Sequence, residues 1–209
     1  MLTLHHLNNS RSQRIVWLFE ELGLDYDLVL HQRDPVSRAA PPALKAIHRL
    51  GKAPVITDAN RVVAESAAII DYVLDVYGQG RLRPPHGTDA YYDYQHWLHY
   101  AEGSAALPLM LAMYVSTLRA AGAPLHGRIT QQIDTHLGYI EHHLAAHDFL
   151  VGQDLTGADI NMSFVLEAAE AGKRLAAYPL SFAYLKRLQS RPAYQQALAR
   201  GGDYQLGAR

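Results

Sequence analysis

The chain contains no cysteine. That excludes a disulfide, a thiolate metal site, a Cys-x-x-Cys redox pair and a cysteine nucleophile. Any thiol chemistry would have to use the thiol of a bound ligand. No apolar run approaches the ~18 residues of a membrane span, so no membrane partner is expected. Charge of one sign is not in excess, since 19 Lys and Arg face 20 Asp and Glu. No basic stripe points to nucleic acid and no charge block to a disordered tail. The opening Met1-Leu2-Thr3-Leu4-His5-His6 lacks the basic and apolar regions of a signal peptide. A cytoplasmic location is the resulting expectation. Internal repeats and low-complexity segments are absent as well.

What is present suits a globular protein. The 209 residues suffice for one large or two small domains, and 49% hydrophobic content is ordinary. Leu2 to His6 reads as a strand, Leu7 to Ser12 as a polar loop, and Gln13 to Leu22 as a helix stopped by Gly23. Tyr26 to Leu30 is a second strand. A strand–helix–strand unit of this size calls for a parallel pair with a right-handed crossover. Arg33 to Pro42 is a proline-bearing loop, and Ala43 to Ile47 is a short helical turn.

Leu50 to Ser66 holds the most information. Val55-Ile56 and Val62-Val63 are β-branched runs separated by the turn signal Asp58-Ala59-Asn60. The second strand runs into Glu65-Ser66, where apolar residues at helical spacing begin. A helix N-terminus presents unpaired N–H groups and holds a carboxylate or phosphate well. Pro54 cannot donate to a ladder, so the backbone before it can face a ligand. Were Ala53-Pro54 cis, Ala53 could pair with a peptide-like ligand. Taken alone, the stretch also fits an edge hairpin and a capped helix.

Beyond it, Gly78 and Gly80 end a third helix, and Arg81 to Gly87, with two prolines and a glycine, reads as a linker. No alternating strand pattern follows Thr88. Asp89 to Ala121 reads as one long helix bent near Pro108, and Leu125 to Ala146 as another. Thr156-Gly157-Ala158-Asp159 is a capping-box signal, with Leu155 and Ile160 set to staple across it. Pro179–Ser190 and Pro192–Arg200 are shorter helices with proline near the first turn. The 12 histidines raise a metal hypothesis. His143 and His147 lie four apart and His96 and His99 three apart, yet there is no His-Glu-x-x-His frame. No metal is expected.

Gly51-Lys52-Ala53-Pro54-Val55, a hairpin and Ala64-Glu65-Ser66-Ala67-Ala68-Ile69 resemble the ligand-site core of the cytosolic glutathione transferases. The Leu-x-Gly-Gln-Asp-Leu-Thr-Gly-Ala-Asp run ending at Asp159 resembles the cap motif of that family's helical domain. The resemblance spans nearly the whole chain. It implies an α/β thioredoxin-like N-terminal domain over 1–80, a linker over 81–87 and an all-α domain over 88–209. It implies glutathione as co-substrate, conjugation of its thiolate to a small hydrophobic electrophile, and a homodimer. Glutathione-dependent peroxide or disulfide reduction, or a non-catalytic interaction protein, are the alternatives.

The resemblance also implies roles. Ala53 before Pro54 would pair with the cysteinyl backbone of glutathione, Glu65 and Ser66 would hold its γ-glutamyl group, and Lys52 would reach its glycyl carboxylate. Family classes that work through a protein cysteine are excluded. A tyrosine donor does not fit, because the first tyrosine is Tyr26. Ser10 stands four residues before Arg14, as in the serine-type classes, and is the first candidate to donate to the glutathione sulfur. Asn9 and Ser12 are its rivals, since Leu7 to Trp17 most resembles a fungal and bacterial branch with a less uniform catalytic group. Ser10 or Ser12 could instead merely cap the helix. Leu107, Met110 and Tyr114 are candidates for the second-substrate pocket. His99, Glu102 or Ser104 could reach a partner subunit's γ-glutamyl amine. Core packing explains the spacing of each of these long-helix residues better than any single named role does.

Overall fold

A computed structural model describes residues 1–202 and 204–206. Their contacts gather into two compact units, one of 1–83 with the described residues from 188 onward, the other of 84–187.

The first unit is built on a four-stranded sheet of order β2-β1-β3-β4. The strands are β1 (Leu2–Leu7), β2 (Asp27–His31), β3 (Val55–Asp58) and β4 (Arg61–Ala64). The pair β1–β2 is parallel, while β1–β3 and β3–β4 are antiparallel. Helix α1 (Gln13–Leu22) makes the crossover from β1 to β2 and ends at Gly23, whose φ of 64° is the left-handed geometry glycine tolerates. Gly23 N donates to Glu20 O and Leu24 N to Phe19 O, so the last carbonyls are met. Helices α2 (Ala43–Ile47) and α3 (Ser66–Val76) complete the βαβ, α, ββα order. Tyr26 lies just ahead of β2, not in it. It is buried, with its hydroxyl donating to Glu20 Oε1 at 2.6 Å.

Nearly every face of α1 is buried, because it packs on β1 and on a helix from the far end of the chain. That helix is α9 (Pro192–Gly201). Tyr194 meets Trp17 edge-to-face at 5.3 Å. Arg191 pairs with Glu21, and Arg200 donates to Glu20 at 2.8 Å while lying over the Tyr26 ring. The described residues from Leu188 onward therefore group with the first unit, whereas the all-helical domain was expected to run over 88–209. An amphipathic helix advertises an apolar face but not the surface it will cover.

The second unit is helical, and among the described residues it contains no strand. The expected single helix from Asp89 to Ala121 is divided: α4 (Asp89–Tyr100), a π-helical turn Ala101–Ala105, α5 (Ala106–Ser116) and a 3₁₀ turn Arg119–Gly122. Two local causes are visible. Pro108 has no N–H for the carbonyl of Ser104, and Gly103 is a weak helix former. Asn161, fully buried, donates its amide to Leu98 O at 2.8 Å and so satisfies a carbonyl just ahead of the widened turn. Helix α6 runs Ala123–Leu144, α7 Gly157–Ala171 and α8 Pro179–Gln189. The Thr156–Asp159 capping box is present at the start of α7. Asp159 is fully buried and accepts from Thr156 N, Thr156 Oγ1, Leu150 N and the Tyr184 hydroxyl. Burial pushes its carboxyl up, and those four donors oppose the shift. Leu155 and Ile160 are both buried across the cap. Among the described residues no helix is long and apolar enough to cross a membrane.

Candidate functional site

Strand register determines what meets at one end of the sheet. His5 lies opposite Val55, and Val55 lies opposite Ala64. The chain thus leaves β1 at Leu7, enters β3 at Val55 and leaves β4 at Ala64 along a single edge. The loop 8–12, the segment Lys52–Pro54 and the pair Glu65–Ser66 are carried there together.

The entry to β3 is tightly made. Gly51 is buried with φ 58°, and a Cβ on it would stand 2.6 Å from Lys45 Cγ, so glycine is required. The Ala53–Pro54 peptide bond is cis. Pro54 is buried and Ala53 half-buried. Ala53 precedes β3, so its N–H and C=O stand outside the ladder that begins with Val55. Lys52 is exposed.

Ser66 opens α3 and is buried, at the end with unpaired N–H groups. Glu65 stands at the N-cap with φ 73° and ψ 126°. This is a conformation that residues with a Cβ seldom adopt. Its carbonyl accepts from Ile69 N at 2.9 Å, while its exposed carboxylate makes no capping bond. The backbone holds the side chain out without using it.

The loop after β1 places the three donor candidates differently. Ser10 is buried, and its Oγ accepts from Ser12 N at 3.1 Å and lies 2.7 Å from Ser12 Oγ. Ser12 is fully buried. Its Oγ accepts from Leu7 N at 3.0 Å and lies 3.0 Å from His6 Nδ1 and 3.2 Å from Leu7 O. Ser12 occupies the N-cap of α1, yet its side chain makes no capping bond and turns back to β1. Neither serine therefore acts as the simple cap that the sequence allows. Asn9 has φ 50°, and its Oδ1 accepts from Gln205 N at 2.6 Å. Arg33 braces the same loop, its N–H donating to Asn8 Oδ1 at 2.8 Å and its guanidinium to Asn8 O at 3.2 Å. Arg14 is buried and Arg11 half-exposed.

Comparison with known proteins bears on this arrangement. The family profile "Glutathione S-transferase, N-terminal domain" matches residues 10–76, and "Glutathione S-transferase, C-terminal domain" matches residues 121–200. Glutathione S-transferase 1 of Saccharomyces cerevisiae is 30% identical over 98% of each chain. Glutathione S-transferase 3 of Schizosaccharomyces pombe is 33% identical over 81% of this chain and 75% of its own. A crystal structure of a glutathione S-transferase from Actinobacillus pleuropneumoniae superposes with a TM-score of 0.90 at 36% identity, covering 99% of this chain and 95% of that one. The chain belongs to the cytosolic glutathione S-transferase superfamily. It is an enzyme of that kind, with the thioredoxin-like and helical parts that the transferases share.

The transferase's helical unit carries the remaining candidates. Leu107 lines a groove of about 400 Å³ with Ser104, Leu111, Arg128, Ile129 and His136. His136 of this groove is joined to Tyr100, Nδ1 to hydroxyl, at 2.7 Å. Met110 is half-buried and Tyr114 exposed, and neither lines this groove. Leu107, Leu111 and Tyr114 are 55%, 41% and 58% exposed, so the core reading of these positions is corrected. Trp97, at 3%, is core. His99 and Ser104 border a second hollow with Tyr92 and His96. Among the described residues, no group of three or more His, Asp or Glu could hold a metal ion. His143 and His147 stack on each other at 4.3 Å, and His143 also packs on Trp97.

Two features of the candidate site are not signalled in the sequence. His6 reads as a strand residue, but its imidazole reaches the serine pair. The Arg33 brace joins residues far apart in sequence and needs the β1–β2 pairing to meet.

Proposed function

We propose that this transferase binds glutathione at the end of the sheet where β1, β3 and β4 converge, and adds its thiolate to a small hydrophobic electrophile. The carrying observation is the convergence itself: the cis Ala53–Pro54 bond, the buried Ser66 at the start of α3 and the serine loop share one sheet edge. Ala53 pairs with the cysteinyl backbone. Ser66 offers a hydroxyl and helix-start N–H groups to the γ-glutamyl carboxylate, and Glu65 takes the amine. Lys52 answers the glycyl carboxylate.

Ser10 donates to the sulfur. A thiol titrates near ~8.5, and lowering it by two units needs about 2.7 kcal/mol of preference for the anion. One hydrogen bond to a charged acceptor contributes roughly 1.5–3 kcal/mol and a helix start ~0.3–1. A hydroxyl at the start of α1 is therefore sufficient without a general base. Leu107, Met110 and Tyr114 contribute to the electrophile's surroundings. The apolar exposure of Leu107, Leu111, Met113, Tyr114, Leu118 and Leu125 supports a homodimer.

The test is glutathione calorimetry with Ser66→Ala, joined to pH–rate profiles of Ser10→Ala, Asn9→Ala and Ser12→Ala. Ser66→Ala is expected to weaken binding more than tenfold, since a lost partner of a desolvated charged bond costs roughly 2–5 kcal/mol. Ser10→Ala is expected to slow turnover near neutral pH, with the deficit shrinking in alkali. Unchanged affinity in Ser66→Ala would put the ligand elsewhere. A wild-type profile in Ser10→Ala beside a shifted one in Asn9→Ala would transfer the donor role. Turnover with peroxide and a second glutathione, without conjugation, would favour the reductase alternative.

A further inference from the structure

We propose that His6 is a positioning residue that, through Ser12, sets whether the Ser10 hydroxyl can donate to glutathione sulfur. The inference rests on the reading of Ser10 as donor.

Counting limits where the hydrogens of the buried cluster can go. A hydroxyl has one hydrogen and two lone pairs. Ser12 Oγ has four neighbours: Leu7 N, Leu7 O, His6 Nδ1 and Ser10 Oγ. Leu7 N–H always fills one lone pair. The single Ser12 hydroxyl hydrogen goes to Leu7 O, Ser10 Oγ or His6 Nδ1, and the second Ser12 lone pair takes either His6 Nδ1–H or the Ser10 hydroxyl. Two cases follow. In one, His6 Nδ1–H fills that lone pair, Ser12 donates to Leu7 O or to Ser10, and Ser10, whose Oγ accepts from Ser12 N–H, keeps its own hydrogen. In the other, His6 Nδ1 is bare, Ser12 donates to it or to Leu7 O, and Ser10 spends its hydrogen on Ser12. Only the first leaves a donor for a thiolate, which itself only accepts.

The donor reading of Ser10 requires the first case, with the ring hydrogen on Nδ1, 3.0 Å from Ser12 Oγ. The backbone of Gly201 at the end of α9 also meets the ring, and an Nε2–H tautomer held there would leave Nδ1 bare and give the second case. Burial, with the nearby His31, lowers the His6 pKa to about 4. The ring is thus neutral where the enzyme works, and the relay does not itself titrate there. His5 and His31, paired at 3.2 Å, are likewise lowered.

The experiment titrates the bound thiol by ultraviolet difference absorbance and measures the pH–rate profile in whole enzyme. His6→Leu removes the Nδ1 donor, while His6→Asn keeps an N–H at its position. In His6→Leu the bound thiol's pKa is expected to rise by about one unit, which is about tenfold less thiolate near neutral pH, with rates converging on wild type in alkali. His6→Asn is expected to follow wild type, and glutathione affinity to hold in both. If His6→Leu does not fold, His6→Gln replaces it, because its amide reaches the Nε2 position and misses Ser12. Ser10→Ala is run beside them. A wild-type profile in Ser10→Ala overturns the donor reading and with it the relay. A shifted Ser10→Ala profile beside an unshifted His6→Leu profile overturns the relay alone. A shifted His6→Asn profile also overturns it, since a merely structural loss would not be expected to spare the thiol pKa in one variant and not the other.

Discussion

Glu65→Gly should make the enzyme more stable and a worse binder at once. Glu65 sits at φ 73°, ψ 126°, a region where a Cβ costs of order 1–3 kcal/mol. Glycine removes that cost but adds freedom to the unfolded chain, worth roughly 0.4–1 kcal/mol. The carboxylate is exposed and makes no capping bond, so the free fold loses little with it. The net gain is about 1 kcal/mol, or roughly 2–4 °C in Tm for a chain of this size. Binding should move the other way. If Glu65 holds the γ-glutamyl amine, its loss costs roughly 2–5 kcal/mol, more than tenfold in Kd.

Glu65→Ala separates the two effects. It removes the carboxylate but keeps the Cβ, so affinity should fall equally while Tm stays near wild type. Thermal unfolding without glutathione, and calorimetry with it, give both quantities on each variant. A lower Tm in Glu65→Gly than in Glu65→Ala would refute the strain argument. Unchanged affinity in both would refute the binding role. The expected pattern would mean that the fold tolerates a costly backbone angle in order to present this side chain to the ligand.

Other perturbations probe the scaffold. Tyr194→Ala empties the edge-to-face contact with Trp17 and should cost roughly 3–5 kcal/mol; denaturant unfolding measures it, and early proteolytic cleavage in α9 should accompany it. Asp159→Ala strands four donors at about 1–3 kcal/mol each; a variant with near-wild-type Tm would show the capping box to be dispensable. Asp58 is held below the usual carboxylate range, chiefly by the Tyr77 hydroxyl and then by that of Tyr72. A lowered folded-state pKa adds stability above the ordinary value, near ~3.9, that is lost as pH falls through the lowered one. Asp58→Asn should therefore flatten acid-side unfolding below about pH 4, and an unchanged acid limb would refute this.

The elements that sequence foretold share a local cause. Helix α1 runs from Gln13 to Leu22 because its apolar periodicity and the left-handed stop at Gly23 both lie within that stretch. The β3–β4 hairpin follows from two β-branched runs around a turn. The capping box at Thr156 needs only residues three apart. Elements that depend on distant partners are less legible in the sequence. The long helix breaks around Gly103, where Asn161 of α7 takes the Leu98 carbonyl. The home of α9 depends on Trp17, Glu20 and Glu21, none of them near it in sequence.

The candidate site divides along the same line. Ala53, Pro54, Glu65 and Ser66 are adjacent pairs whose position relative to β3 and β4 is fixed by strand pairing, so a motif suffices to single them out as candidates. The donor loop is different in kind. Asn9, Ser10 and Ser12 are equally polar in sequence, and spacing alone does not rank them. What distinguishes them in the structure is each side chain's surroundings. Asn9 is tied through Oδ1 to the backbone of Gln205, which fixes the side chain without ranking its amide as a donor, and Ser12 Oγ is surrounded by Leu7, His6 and Ser10. On the proposed relay, Ser10 keeps a hydrogen to give only while His6 fills the Ser12 lone pair that Ser10 would otherwise use. That dependence runs through an imidazole on β1 and cannot be read from the loop.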